Sequence, residues 1–380
     1  MRKALAATTV AIVLSLAACA EEEGVPQPRS GNDATEILSQ ERYAAFSEAT
    51  KAKLAEADEA RNAELLTYRI APGPLKEQRT AHYKLREAVG DSYTLDPIVI
   101  DPAAVPVSNG SAFPRTFMTF TGPRDGENLS TLTVWTQKTP RQNYQLWAET
   151  EIFPGVSVPA IVSQMDDVPG YPEVDPSEYA ADPNAVLEAY VAYNESQEQG
   201  DIVFEADDPL YTEIADQQET LSNSIGDLGT AETTFAPSDH EFHAVSTTDG
   251  GLILVGDMRY TIKLTRTNDD ATLRISGDIG AMFTGGDDDD NIVEVDDPVH
   301  AVYSTTVAFY IPPAGGAEAV KVIASTAPTL LSVAKVEPEE ESEGDGDSNA
   351  DEENADAEGS ADDNADAEGT DEEASAQDEE

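Results

Sequence analysis

"ERYAAFSE" at residues 41–48 recurs in altered form as "EAYVAYNE" at residues 188–195, and this recurrence decides how the chain divides. Both glutamates, the tyrosine, one alanine and an aromatic keep their places. Further along each half, "GPL" at 73–75 lies over "DPL" at 208–210, and a glycine follows the proline after 16 residues in one half and 17 in the other. Proline just inside a helix start and glycine just past its end bracket a helix in both places. The pattern predicts a tandem duplication with a shared helix-helix-sheet core.

Outward from these stretches, Asn32-Asp33 followed by Glu36 reads as a helix start, and the helical pattern runs to about Leu66. A second helix opens at Pro74, carries Leu75, His82, Leu85 and Val89 on one face, and stops at Gly90. The period then changes. Residues 117–121, 129–137 and 144–153 are rich in aromatic and β-branched residues between Gly, Pro and Asn clusters, as strands are. The last alternates, with Tyr144, Leu146, Ala148 and Ile152 set against Gln145, Trp147, Glu149 and Glu151.

Six prolines between 154 and 183 mark a boundary, after which helices open at Asp182-Pro183 and Asp208-Pro209. Strands are expected at 240–248, 252–255, 258–265, 272–276, 302–311 and 320–324; the clearest, 258–265, alternates Met258, Tyr260, Ile262 and Leu264 with polar residues. Helices followed by an antiparallel meander give an α+β class. The expected organisation is a signal peptide (1–18), a tether (19–33), a first α+β domain (34–155), a Pro-rich linker (156–181), a second α+β domain (182–336) and an acidic disordered tail (337–380).

This order of elements resembles the cone-shaped NTF2-like or cystatin-like fold, in which helices pack on a curved antiparallel sheet. More specifically, "RYAAF" at 42–46, "APGPL" at 71–75 with Arg79 and Tyr83, "FPRTF" at 113–117, and "PRQNYQLWAE" with "FPG" at 140–155 resemble an uncharacterised domain of actinobacterial lipoproteins. The resemblance covers about residues 34–336. It implies a lineage and supplies no activity.

The N-terminus agrees with that lineage. Arg2 and Lys3 precede a compact apolar run from Ala4 to Leu16, which reads as a secretory signal and is shorter than the roughly 20 apolar residues of a membrane span. Leu16-Ala17-Ala18-Cys19 resembles the lipobox of bacterial lipoproteins. That implies a diacylglycerol on Cys19, the only cysteine of the chain, and an anchor on the extracytoplasmic face of the cell membrane.

The net charge is −53. The last 44 residues hold 22 Asp and Glu with no Lys, Arg, aromatic, Val, Leu or Ile, so they have too little apolar surface to offset ordering, and "NADAEG" repeats at 354–359 and 364–369. Before residue 337 there remain 53 acids against 22 bases. Nucleic acid and anionic lipid headgroups are poor partners for such a surface. Salt adaptation and selection for cationic partners remain open as its origin.

Motifs for chemistry are sparse. "HEFH" at 240–243 would place two imidazoles on one helix face, but its flanks favour extended chain and the spacing is not that of a zinc protease. His82 reads as a core or pocket histidine, and His300 lies in no motif. No nucleophile elbow or phosphate loop is present. "DGDSNADEENAD" at 345–356 has the acidic spacing of a calcium loop but lacks its glycine and final glutamate. "GGDDDDNIVEVDDP" at 285–298 reads as a solvated acidic loop. No catalytic residue, metal ligand or cofactor is expected.

Arg115, Trp135, Arg141, Tyr144 and Trp147 cluster along the first sheet, and aromatics beside arginines are typical of binding surfaces. The expectation is therefore a lipid-anchored envelope protein with a non-enzymatic role, binding a small ligand or an envelope protein partner. The alternatives are a hydrolase or isomerase using an enclosed pocket with His82 and nearby acids, and a cation-binding acidic surface protein. A pocket filled by Tyr43, Phe46 and Leu85 would favour binding, and a pocket faced by ionisable groups would favour catalysis.

Overall fold

The first helix begins at Ser39, whose hydroxyl accepts the Arg42 N–H at 3.3 Å and satisfies one of the free donors of the first turn. The computed structural model describes residues 38–336 except 91–92, 102–106, 109–112, 123–128, 160–174, 207, 268–269, 271, 287–290 and 317–318. The signal peptide and tether with Cys19, the middle of the Pro-rich linker, the aspartate run of the 285–298 loop and the tail with its 345–356 stretch lie outside the described residues. So does the proposed helix start at Asn32-Asp33.

Helix α1 spans Gln40–Ala60 and buries Tyr43, Ser47, Thr50, Leu54 and Ala57 along one stripe. It does not continue to Leu66 as expected. Arg61 takes a left-handed φ of 51°, and Asn62 caps a separate 3-10 turn, Ala63–Leu66, by accepting the Glu64 N–H. Helix α2, Pro74–Val89, has proline in its first turn and Gly90 at φ 85° after its end, as the sequence predicts. Arg79 and Tyr83, four apart on α2, reach the same Asp58 of α1 at 3.1 and 2.6 Å, which ties the two helices together.

The first-half strands are β1 (Val107–Ser108), β2 (Arg115–Thr121), β3 (Thr131–Gln137) and β4 (Gln145–Ile152). The second half opens with α3 (Val186–Ser196) and α4 (Pro209–Ile225), the latter capped by Asp208. Then follow β5 (Gly229–Pro237), β6 (His243–Ser246), β7 (Leu252–Arg266), β8 (Leu273–Ile275), α5 (Gly277–Thr284), β9 (Val293–Val295), β10 (Val299–Ile311), β11 (Lys321–Ser325) and β12 (Thr329–Lys335).

The expectation of two domains, each with its own sheet, requires correction. Ten strands form one antiparallel sheet in the order β1-β2-β3-β4-β11-β10-β7-β5, with β12 on β10 and β6 on β7. The halves join where Ile152 and Glu151 of β4 pair with Ala324 and Ser325 of β11. The physical reason lies in β3, "TLTVWTQ", which is buried at every position and must be covered on both faces. Trp135, with Phe117 and Leu146, packs beneath α1. Leu132 and Val134 pack against Val245, Ile253, Val255, Ala308 and Ile323 of the second half. A first-half sheet left alone would expose that second face to water.

Two expected strands, 252–255 and 258–265, are one continuous β7. The intervening Gly256-Asp257 stays in the ladder because Ser304 and Thr306 of the neighbouring β10 donate to the Asp257 carboxylate at 2.9 and 3.2 Å. The expected alternation of β4 is broken as well. Trp135 pairs with Leu146 and Val134 with Ala148, so Trp147 is the extra residue of a bulge and joins the core between the halves.

The two halves share local features. Tyr43 of α1 and Tyr190 of α3 are both fully buried. After each of these helices the chain makes an isolated parallel bridge, Ile70 to Leu146 in the first half and Phe204 to Val320 in the second.

Candidate functional site

The first-half interior is filled rather than hollow. Tyr43, Phe46, Phe117, Trp135 and Tyr144 form a continuous ring cluster with centroid separations of 5.0–6.1 Å. Leu85 is buried separately, on α2. The proposed binding face therefore divides. Trp135 is fully buried, donating from Nε1 to Thr133 Oγ1 at 2.9 Å, and Tyr144 and Trp147 are also buried. Trp147 stands edge-on to His243 at 4.5 Å. Arg115 is half-buried, with its guanidinium 4.1 Å above the Phe113 ring. Arg141 alone of the five is exposed.

Arg141 opens onto a groove of about 450 Å3 lined also by Arg42, Phe46, Arg69, Gln137 and Tyr144. Three separate elements supply its arginines. Arg42 lies in the first turn of α1. Arg69 is held to β4 through its own carbonyl, which accepts the Leu146 N–H at 2.9 Å, next to Tyr68 in left-handed backbone at φ 74°. Arg141 sits in the β3–β4 turn, which is pinned by Gln137 Nε2 donating to the Gln142 carbonyl at 2.7 Å. The stacked pair Phe46 and Tyr144, 5.2 Å apart, lies in the same lining. Sequence reading missed Arg42 and Arg69. Arg42 carried no local signal, because the sequence places the helix start at Asn32-Asp33 and only the observed cap at Ser39 puts this cation at the positive end of the helix dipole.

A second, smaller cavity of about 190 Å3 lies beside α2, lined by Arg79, His82, Tyr93, Asp96, Glu149 and Thr150 among others. His82 is engaged at both nitrogens, Nδ1 with the Tyr93 hydroxyl and Nε2 with Thr329 Oγ1. Burial, reinforced by Arg79, pushes its pKa down to about 4. At neutral pH this is an uncharged, doubly engaged imidazole rather than a waiting base.

The HEFH histidines have different partners. His240 Nε2 meets Glu77 of α2 at 3.1 Å, and the same carboxylate accepts Arg259 at 2.9 Å. His243 Nδ1 meets Thr116 of β2 at 3.1 Å. No group of three or more metal-ligating side chains gathers among the described residues. His300 lies on β10 between Lys263 and Ala334 of the flanking strands, away from both cavities. No helix among the described residues is long and apolar enough to cross a membrane.

No curated protein and no solved structure matches the chain. A family model does match, over residues 41–329, and the chain accordingly belongs to the family described as a domain of unknown function, DUF8094.

Proposed function

We propose that this protein is an envelope lipoprotein, anchored through Cys19 on the extracytoplasmic face of the membrane, whose role is non-enzymatic binding of an envelope partner or small ligand. The observation that carries the binding reading is the arginine groove: in a chain of 75 acids and 22 bases, three arginines converge on one lining. The filled aromatic interior supports binding over catalysis; the α2 cavity is faced by the ionisable Arg79, Asp96 and Glu149, the feature expected for catalysis, but its His82 is uncharged and engaged at both nitrogens. The anchor rests on the sequence Leu16-Ala17-Ala18-Cys19. Within this reading the two halves are duplicated NTF2-like or cystatin-like units fused through a common sheet, supported by the matching buried tyrosines and parallel bridges.

The test is capture from solubilised envelope with the full chain in detergent, comparing wild type with Arg141→Ala. Retention of a defined component by the wild type, lost in the variant, is the expected result. Equal retention by both would remove the groove from the reading.

A further inference from the structure

The groove has a charge character opposite to the chain around it. Acids outnumber bases more than threefold over the sequence, yet no Asp or Glu belongs to the lining that Arg42, Arg69 and Arg141 share. None of these three side chains forms an ion pair among the described residues. Elsewhere arginines and carboxylates find one another: Arg79 with Asp58 at 3.1 Å, Arg259 with Glu77 at 2.9 Å and Arg274 with Glu294 at 3.4 Å. Three arginines in one lining that holds no carboxylate give the groove an uncompensated positive charge, and Arg42 is further disfavoured by the α1 dipole. A bound anion would relieve both.

We propose that this groove is a binding site for a compact, multiply charged oxyanion, a phosphate or polycarboxylate group, whose attached apolar or ring portion lies against Phe46 and Tyr144. The inference deepens the binding reading above and rests on it. Arginine suits this chemistry because its planar fork gives two parallel N–H donors to a phosphate or carboxylate. The backbone features that hold the set in place are independent of any ligand: Ser39 caps α1, the Leu146 N–H fixes the Arg69 carbonyl, and Gln137 fixes the 139–142 turn. The remaining acids of the chain repel anions over long range. At physiological salt this repulsion is screened beyond about 8 Å, whereas direct contacts persist.

The experiment is isothermal titration of the full chain in detergent with inorganic pyrophosphate and, separately, citrate, at 0.15 M salt. The two probes separate the phosphate from the carboxylate source. Saturable binding of at least one is expected, weakened about tenfold or more by Arg69→Gln and by Arg141→Gln, as loss of a charged hydrogen bond implies. Arg141→Lys should retain part of it, and Arg274→Gln, remote from the groove, should leave it unchanged. Because Arg141 is exposed, an unchanged melting temperature for its variants is the check on folding. Absence of saturable binding of either probe, or equal weakening by Arg274→Gln, would overturn the proposal. Envelope capture that depends on Arg141 while neither probe binds would sink this inference and leave the binding reading standing. Pyrophosphate or citrate binding without envelope capture would uphold this inference and narrow the binding reading to a small ligand.

Discussion

Replacing Asp257 by asparagine should change how stability depends on pH, and the structure gives the size of the effect. Asp257 is fully buried in β7; one carboxylate oxygen accepts Ser304 and Thr306, the other has no donor at hydrogen-bond distance, and the nearby Ser238 side chain also favours the charged form. Gln78 of α2 donates to the same Ser304 at 3.1 Å, so the carboxylate sits in a polar network linking α2 to the sheet. Burial raises its pKa from 3.8 to about 6, against the opposing pull of its hydrogen bonds and of His240. Folding thus prefers the protonated form. The associated stability is fully present below about pH 3.8 and is lost as pH rises through about 6, a change of about 3 kcal/mol. Asparagine keeps an oxygen for Ser304 and Thr306 and cannot ionise. Urea unfolding of both proteins from pH 4 to 8 should show the variant gaining about 2–3 kcal/mol on wild type across that range. Any fixed cost of the buried amide cancels in this change, and His82 and His243 titrate in both proteins alike. A difference that stays flat, or falls with rising pH, would refute the reasoning.

Gly73 has an ordinary extended φ of 168°, but a Cβ there would lie 2.5 Å from Trp147 Nε1. Gly73→Ala should therefore cost about 1–3 kcal/mol in urea unfolding, and less in a Trp147→Phe background; an equal loss in both would contradict the steric account. Asp208 caps α4 by accepting Leu210 and Tyr211 N–H groups and also accepts the Tyr190 hydroxyl at 2.6 Å. Its change to alanine should cost about 3 kcal/mol, combining a lost cap with a stranded buried hydroxyl, while asparagine should restore much of that; equal losses would show that the cap contributes little. Burial, helped by Lys138, holds the His243 pKa down to about 4, below its ordinary 6.5. The stability this implies is present above pH 6.5 and lost as pH falls through about 4, about 3 kcal/mol in all, so His243→Phe should flatten the melting temperature between pH 7 and 4, and an unchanged slope would count against it.

The groove was half legible beforehand. Arg141 and Tyr144 stood out because an arginine beside aromatics in a strand-turn-strand pattern signals a surface. Trp135 and Trp147 carried the same signal for a different reason: they are core residues, and composition cannot say which face of a two-sided buried strand meets water. Arg69 joined the site only through a parallel bridge between residues 70 and 146, a contact that no local pattern encodes.

Helix α2 was readable to the residue, because Pro74 and Gly90 act within a single turn of chain and need no partner. The strands β2, β3, β4, β10 and β11 were readable to within a few residues for the same local reason, side-chain type and alternation. The short helix α5, with two glycines in "GDIGAMFT", and the strand β12 were not, since their stability comes from packing against α2 and pairing with β10. Local patterning encodes helices before strands twice over, whereas the union of the two sets of strands into one sheet rests on contacts distant in the chain. Hydrogen bonds between β4 and β11 join residues more than 170 positions apart, and they form because both faces of β3 must be buried at once.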